Sequence, residues 1–122
     1  MKTDKTDAYY YLTPTTHRAW HKISIDAGLS KHETMERLLR NCIPDKYFEG
    51  EVPEYAPQPV RGSGKSQRIH TMLSPEVQWA VIRLAVAGAT NVSEVVERCL
   101  KREIPAWYFT EKINLEVQEC EL

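Results

Sequence analysis

The residues of this chain that could do chemistry are few, and spacing disposes of most of them. His17 and His21 stand four apart, which puts both imidazoles on one face of a helix and would suit a metal ion. No Glu-x-x-His arrangement and no cysteine at ligand spacing accompanies them, so they read as a surface pair. "GSGKS" at 62–66 has the last residues of a phosphate-binding loop, but that loop needs a glycine where Pro59 stands and a strand leading into it. Cys42, Cys99 and Cys120 are odd in number and contain no CxxC pair, so they read as free thiols. No Ser/His/Asp arrangement is legible. The expectation is a chain that is not an enzyme, with no metal and no cofactor. What remains is charge. Arg61, Lys65, Arg68 and His70 stand in a stretch without an acidic residue from 55 to 75. Such a stretch either lies along a phosphate backbone or is a solvated linker.

The elements that would position these groups are bounded by composition. At 122 residues the chain is one ordinary domain or two very small ones that share a core. Hydrophobic content of 42% and charged content of 27% are globular values. A net charge of −1 is not the overall basicity of a typical nucleic-acid binder. The N-terminal end is polar, with no apolar core of a signal peptide, and no apolar stretch approaches the roughly 20 residues of a membrane span. A cytoplasmic protein with no membrane contact is expected.

The chain is written twice. At an offset of 61, Leu12, Pro14 and Ala19 fall on Leu73, Pro75 and Ala80. Glu33, Glu36, Arg37 and Leu39 fall on Glu94, Glu97, Arg98 and Leu100. "IPDKYF" at 43–48 falls on "IPAWYF" at 104–109. Each copy has the same grammar. An alternating stretch at 8–12 or 68–73 suggests a strand. Thr13-Pro14 or Ser74-Pro75 then starts a helix of about 14 residues. One face of that helix carries Thr16, Trp20, Ile23, Ser24 and Ala27 in the first copy, and Val77, Val81, Leu84, Ala85 and Gly88 in the second. After a break at "AGLS" or "GATN", Ser30 or Asn91 caps a second helix. It buries Met35, Leu38, Leu39 and Cys42, matched by Val96, Cys99, Leu100 and, at the margin, Glu103. Pro44 and Pro105 stop it, and the following Tyr and Phe fold back over the edge of a shared core. The divisions are a first copy at 7–52, a linker at 53–67, a second copy at 68–113 and an acidic tail at 114–122, with both copies forming one domain.

Strand, helix, "GLS"-type turn and second helix within about 40 residues resemble the ribbon-helix-helix family of the Arc and MetJ type. "AGLSKHETMERLL" (27–39) is similar to its turn and second helix, and "RIHTMLSPEVQWAVIRLA" (68–85) to its strand and first helix. The resemblance implies a mainly α fold with a two-stranded antiparallel ribbon, an intramolecular pseudo-dimer in the order β-α-α-linker-β-α-α. It implies double-stranded DNA as partner, with the ribbon in the major groove. The base-reading positions would be the outward ones, Asp7, Tyr9 and Tyr11 beside Arg68, His70 and Met72. Arg68 suits guanine, His70 donates or accepts, the tyrosines bond through hydroxyls or touch a thymine methyl, Asp7 repels phosphate, and Met72 offers apolar contact. The N-termini of the second helices, Ser30, Lys31 and His32 and then Asn91, Val92 and Ser93, would clamp phosphates with free backbone N–H groups, joined by Arg61 and Lys65. The resemblance points to a repressor or a plasmid or phage DNA-processing factor, monomeric as a pseudo-dimer, with room for two such units side by side on longer DNA. The competing class is a protein-interaction module, an antitoxin or inhibitor, that uses the Tyr-rich ribbon or the acidic tail.

Overall fold

Period-two alternation requires a partner strand, and each alternating stretch finds the other. In the computed structural model, which describes residues 5–51, 53, 64, 65 and 67–109, β1 (Thr6–Leu12) pairs antiparallel with β2 (Gln67–Leu73). Tyr9 lies opposite His70, its own counterpart at the 61-residue offset. Ala8, Tyr10 and Leu12 point inward with Ile69, Thr71 and Leu73, and all six are buried. The strands start earlier than the alternation alone suggests. Thr6 is held opposite Leu73 and Gln67 opposite Leu12, so the ladder itself extends each strand. The strands expected at 8–12 and 68–73 therefore open at Thr6 and at Gln67.

Four helices follow the punctuation of the sequence: α1 (Pro14–Ala27), α2 (Lys31–Cys42), α3 (Pro75–Ala87) and α4 (Val92–Glu103). Pro14 and Pro75 take the first helical position, where a missing N–H costs nothing. The hydroxyls of Thr13 and Ser30 and the side-chain oxygen of Asn91 accept the N–H groups of Thr16, Glu33 and Glu94. Ser74 departs from this pattern. Its hydroxyl caps nothing and instead donates to Glu36 at 2.7 Å. The buried stripes of α1 and α3 also differ from expectation. They include Ala19 and Ala80 and end before Ala27 and Gly88, which are exposed because the last turn of each helix runs past the core.

Two glutamates tie the halves together. Glu97 of α4 accepts from the Thr13 N–H (3.1 Å) and from the hydroxyls of Thr13 and Thr16 (both 2.8 Å) at the start of α1. Its counterpart Glu36 of α2 accepts from the Ser74 N–H (3.1 Å) and hydroxyl at the start of α3. Each carboxylate thus neutralises the positive end of the other half's first helix while remaining buried and hydrogen-bonded. The two "IPxxYF" phrases reach across as well. Arg83 of α3 donates to the carbonyls of Tyr47, Gly50 and Glu51 around the 3₁₀ turn Asp45–Phe48, and the Tyr108 hydroxyl donates to Asp26 of α1 at 2.6 Å. Ile43, Ile104 and Tyr108 are buried, with Tyr47, Phe48 and Phe109 packed against the core. The described chain is mostly helical with one two-stranded antiparallel sheet, and no single described helix is long and apolar enough to cross a membrane.

Candidate nucleic-acid interface

The ribbon's outer face is the one surface where the strands place side chains with hydrogen-bonding capacity in a row. The register makes three cross-strand pairs of the six expected positions: Asp7 with Met72, Tyr9 with His70, and Tyr11 with Arg68. Asp7, Tyr9, Arg68 and His70 are exposed, and Tyr11 and Met72 are half-buried. Tyr9 sits at the middle, 43% exposed. The Arg68 guanidinium lies 4.5 Å from its ring centroid, and the His70 ring stands 5.1 Å away, tilted by 42°. His70 Nε2 donates to the Asp7 carboxylate at 2.7 Å. Arginine and histidine are thus held on an aromatic support, one by a cation–π contact and one by an acid. The arrangement presents a fork donor, an imidazole, two phenols and one carboxylate on a single face.

Helix N-termini flank the ribbon at both strands. At β2, His32 of α2 stands beside the strand, and its Nδ1 accepts the Met72 backbone N–H at 3.2 Å with the Thr71 hydroxyl at 3.3 Å. At β1, the Ser93 hydroxyl of α4 accepts the Tyr11 N–H at 2.9 Å. These side chains therefore dock the helices on the ribbon. The N–H groups of Lys31 and His32 in the first turn have no partner within the helix, as at any helix start, and point the positive dipole end outward.

The expected phosphate residues divide accordingly. Ser30 is exposed but is occupied in capping. Lys31 is exposed, lies over the Trp20 ring and reaches His21 Nε2 at 3.2 Å. Asn91 is occupied in capping, and Val92 and Ser93 are buried, so their side chains do not meet solvent. Lys65 is corrected: it is 5% exposed and pairs with Glu94 at 2.7 Å, because a buried ammonium needs a counter-charge. Arg61 lies outside the described residues. Two groups near the site were not singled out. Glu33 pairs with Lys5 and Arg37, both at 3.3 Å, and Lys5 brings a cation toward β1. The Lys5 hydrogen bond holds the Glu33 carboxyl below its usual range, and the Lys65 hydrogen bond does the same for Glu94. Glutamate three residues after Ser30 and after Asn91 is a capping-box spacing, the sequence signal that marks both.

Burial comes first, followed by the charges of His70, Lys31 and Lys5, in pushing His32 below the usual imidazole range. A neutral His32 is what its contact requires, since only a deprotonated Nδ1 accepts the Met72 N–H. His17 and His21, with rings 4.5 Å apart, are lowered as well, both by burial first, then His17 by the charges of His21, Lys31 and Arg18, and His21 by that of Lys31. Among the described residues, no three His, Cys, Asp or Glu side chains gather as metal ligands. Compared with family models, curated proteins and solved structures, the chain matches none.

Proposed function

We propose that the chain is an intramolecular pseudo-dimer of two ribbon-helix-helix motifs and binds double-stranded DNA by placing the ribbon's outer face in the major groove. In this reading 7–52 and 68–113 are half-folds joined by a linker, and each supplies one strand and two helices to one core. The observation that carries the reading is the outer face itself. Tyr9, Tyr11, Arg68 and His70 stand in register on one side of a two-stranded ribbon, with a helix N-terminus at each flank. A ribbon of this width fits the major groove, and helix N-termini beside it suit phosphates. Arg68 is the direct reader, swinging from Tyr9 to guanine. Lys31 and the start of α2 hold the backbone. The flanks differ, Lys31 and His32 against Val92 and Ser93, so the site is asymmetric rather than a strict palindrome. Such a protein acts as a repressor or as an accessory factor in plasmid or phage DNA processing.

A second reading has its own observation. Asp7 closes on His70 and an exposed aromatic, Tyr9, stands at the middle of the face, which also suits a protein partner. Fluorescence anisotropy with random duplex at about 50 and 200 mM salt separates the two. DNA binding falls steeply over that range. Arg68→Ala then weakens binding to a selected site by about 1–3 kcal/mol, and Lys31→Ala removes about one phosphate contact from the salt slope. No duplex binding at the lower salt, combined with partner capture that Tyr9→Ala abolishes, would replace the first reading with the second.

A further inference from the structure

Cys42 and Cys99 meet where the last turn of α2 packs on the middle of α4. Cys99 is almost wholly buried, which pushes its thiol up, and it is hydrogen-bonded with the half-buried Cys42. Both line one cavity of about 280 Å³, walled by Pro44, Leu84 and Val95 and bordered by Arg98 and Arg102. The other half has no equivalent, since the counterparts of Cys42 and Cys99 are Glu103 and Leu38.

The donor set selects the ligand. Two sulfurs stand together, and no third His, Cys, Asp or Glu joins them among the described residues. Structural zinc asks for four ligands, and calcium or magnesium for oxygen. A pair of thiolates satisfies a soft closed-shell monovalent ion, for which two-coordination is normal. We propose that Cys42 and Cys99 form a bis-thiolate site for a monovalent ion of the copper group. On binding, two S–H bonds break, two S–metal bonds form, both protons leave to solvent, and no electrons change hands. The product carries one negative charge. Arg102 and Arg98 line the same cavity, Arg98 sharing its charge with Glu94 at 2.8 Å, while the Glu103 carboxylate acts in the opposite sense on Cys99. The site stands apart from the ribbon and does not depend on the DNA reading.

The test uses the full chain with Cys120→Ser, which removes the one remaining thiol, titrated anaerobically with silver(I) in excess free histidine. We expect one ion per chain, two protons released and a higher Tm. Cys42→Ser and Cys99→Ser each lose the one-to-one phase and the Tm increment. Cys42→Ser, at a half-buried position, is the variant least exposed to misfolding. Uptake unchanged in both single variants would overturn the proposal, as would a protein that takes no silver yet loses two hydrogens to mild hydrogen peroxide, which makes the pair a disulfide couple.

Discussion

At the start of α2 an imidazole accepts a backbone N–H from the ribbon; at the start of α4 a hydroxyl does the same. His32 and Ser93 occupy the same position of the two copies, and the donors, Met72 and Tyr11, are themselves counterparts. The strand N–H beside the helix must find an acceptor, because an orphaned donor costs more than the bond returns. Which acceptor is left open by the fold. The hydroxyl fills the role at any pH, whereas the imidazole fills it only while neutral. The same contrast runs through the molecule: Glu97 gathers three donors where Glu36 gathers two from its partner helix, and a glycine in one turn has an alanine as its counterpart. Equivalent positions are obliged to do the same structural job, and the surplus chemistry differs.

The largest effect tests whether the halves share one core. Leu39 and Leu100 are counterparts with no exposed surface. Leu39→Ala and Leu100→Ala should each cost about 3–4 kcal/mol, cavity included, in urea unfolding. Each should also leave a single transition with an unchanged slope. Two resolved transitions in either variant would separate the halves into independent units. Next come the glutamates. Glu97→Ala strips the acceptor from the Thr13 N–H and two hydroxyls and should cost about 3 kcal/mol. Glu36→Ala strips it from the Ser74 N–H and hydroxyl, and Arg40 at its side is partly solvated, so about 2 kcal/mol is expected. Equal losses would mean that the Thr16 hydroxyl adds nothing.

These glutamates also mark where sequence reading stopped. Their identity at the offset was visible, as were the strands, both Thr/Ser-Pro helix starts and the Pro44 and Pro105 stops, because all of these are signalled by local spacing. Their partners were not. Thr13 and Ser74 lie more than 30 positions away, and only the packing of one copy against the other brings them within 3 Å. Lys65 was misread for a related reason. A lysine in a Gly- and Ser-rich stretch reads as solvated, and its burial depends on Glu94 arriving from another element. Val92 and Ser93 looked like a helix start open to solvent, yet both side chains are buried, with the Ser93 hydroxyl taken up by the Tyr11 N–H of β1. Of the ribbon's outer face, alternation gave all six residues. The closure of His70 on Asp7 and the stacking of Arg68 on Tyr9 depend on the register.

The imidazole gives a smaller, pH-dependent effect. His32 has a folded pKa below its ordinary 6.5, through burial and the nearby His70, Lys31 and Lys5 charges. The unfolded chain therefore binds more protons between that depressed value and 6.5, and stability rises with pH across this window. Acidification from about pH 7 toward pH 5 should lower Tm as His32 is forced to charge and loses its acceptor role. His17 and His21, lowered in the same direction, add to the slope. His32→Ser, which copies the other half, should flatten the profile by His32's share and leave Tm at neutral pH nearly unchanged. A profile as steep as the parent's would assign the whole slope to the α1 pair.

The smallest effect lies in the turns. Gly28 follows α1 at φ 70°, and its N–H donates to Ile25. At the same place after α3 stands Ala89, at φ 54°, whose N–H donates to Val86, while the glycine of that turn, Gly88, sits one position earlier at an ordinary φ of −93°. The left-handed position needs no side chain, yet one copy carries a methyl there, at a strain of about 1 kcal/mol. Nothing lies within 4 Å of a Cβ built on Gly28, so Gly28→Ala meets backbone strain alone. It should cost about 1 kcal/mol. Ala89→Gly should add about 0.5 kcal/mol, since relief of the strain is partly offset by the freer unfolded chain. Opposite signs of similar size, measured as urea midpoints, would show that both turns make the same demand on the backbone. Destabilisation by Ala89→Gly would instead mean that the alanine methyl packs usefully in its own half, and that the two turns are alike only in outline.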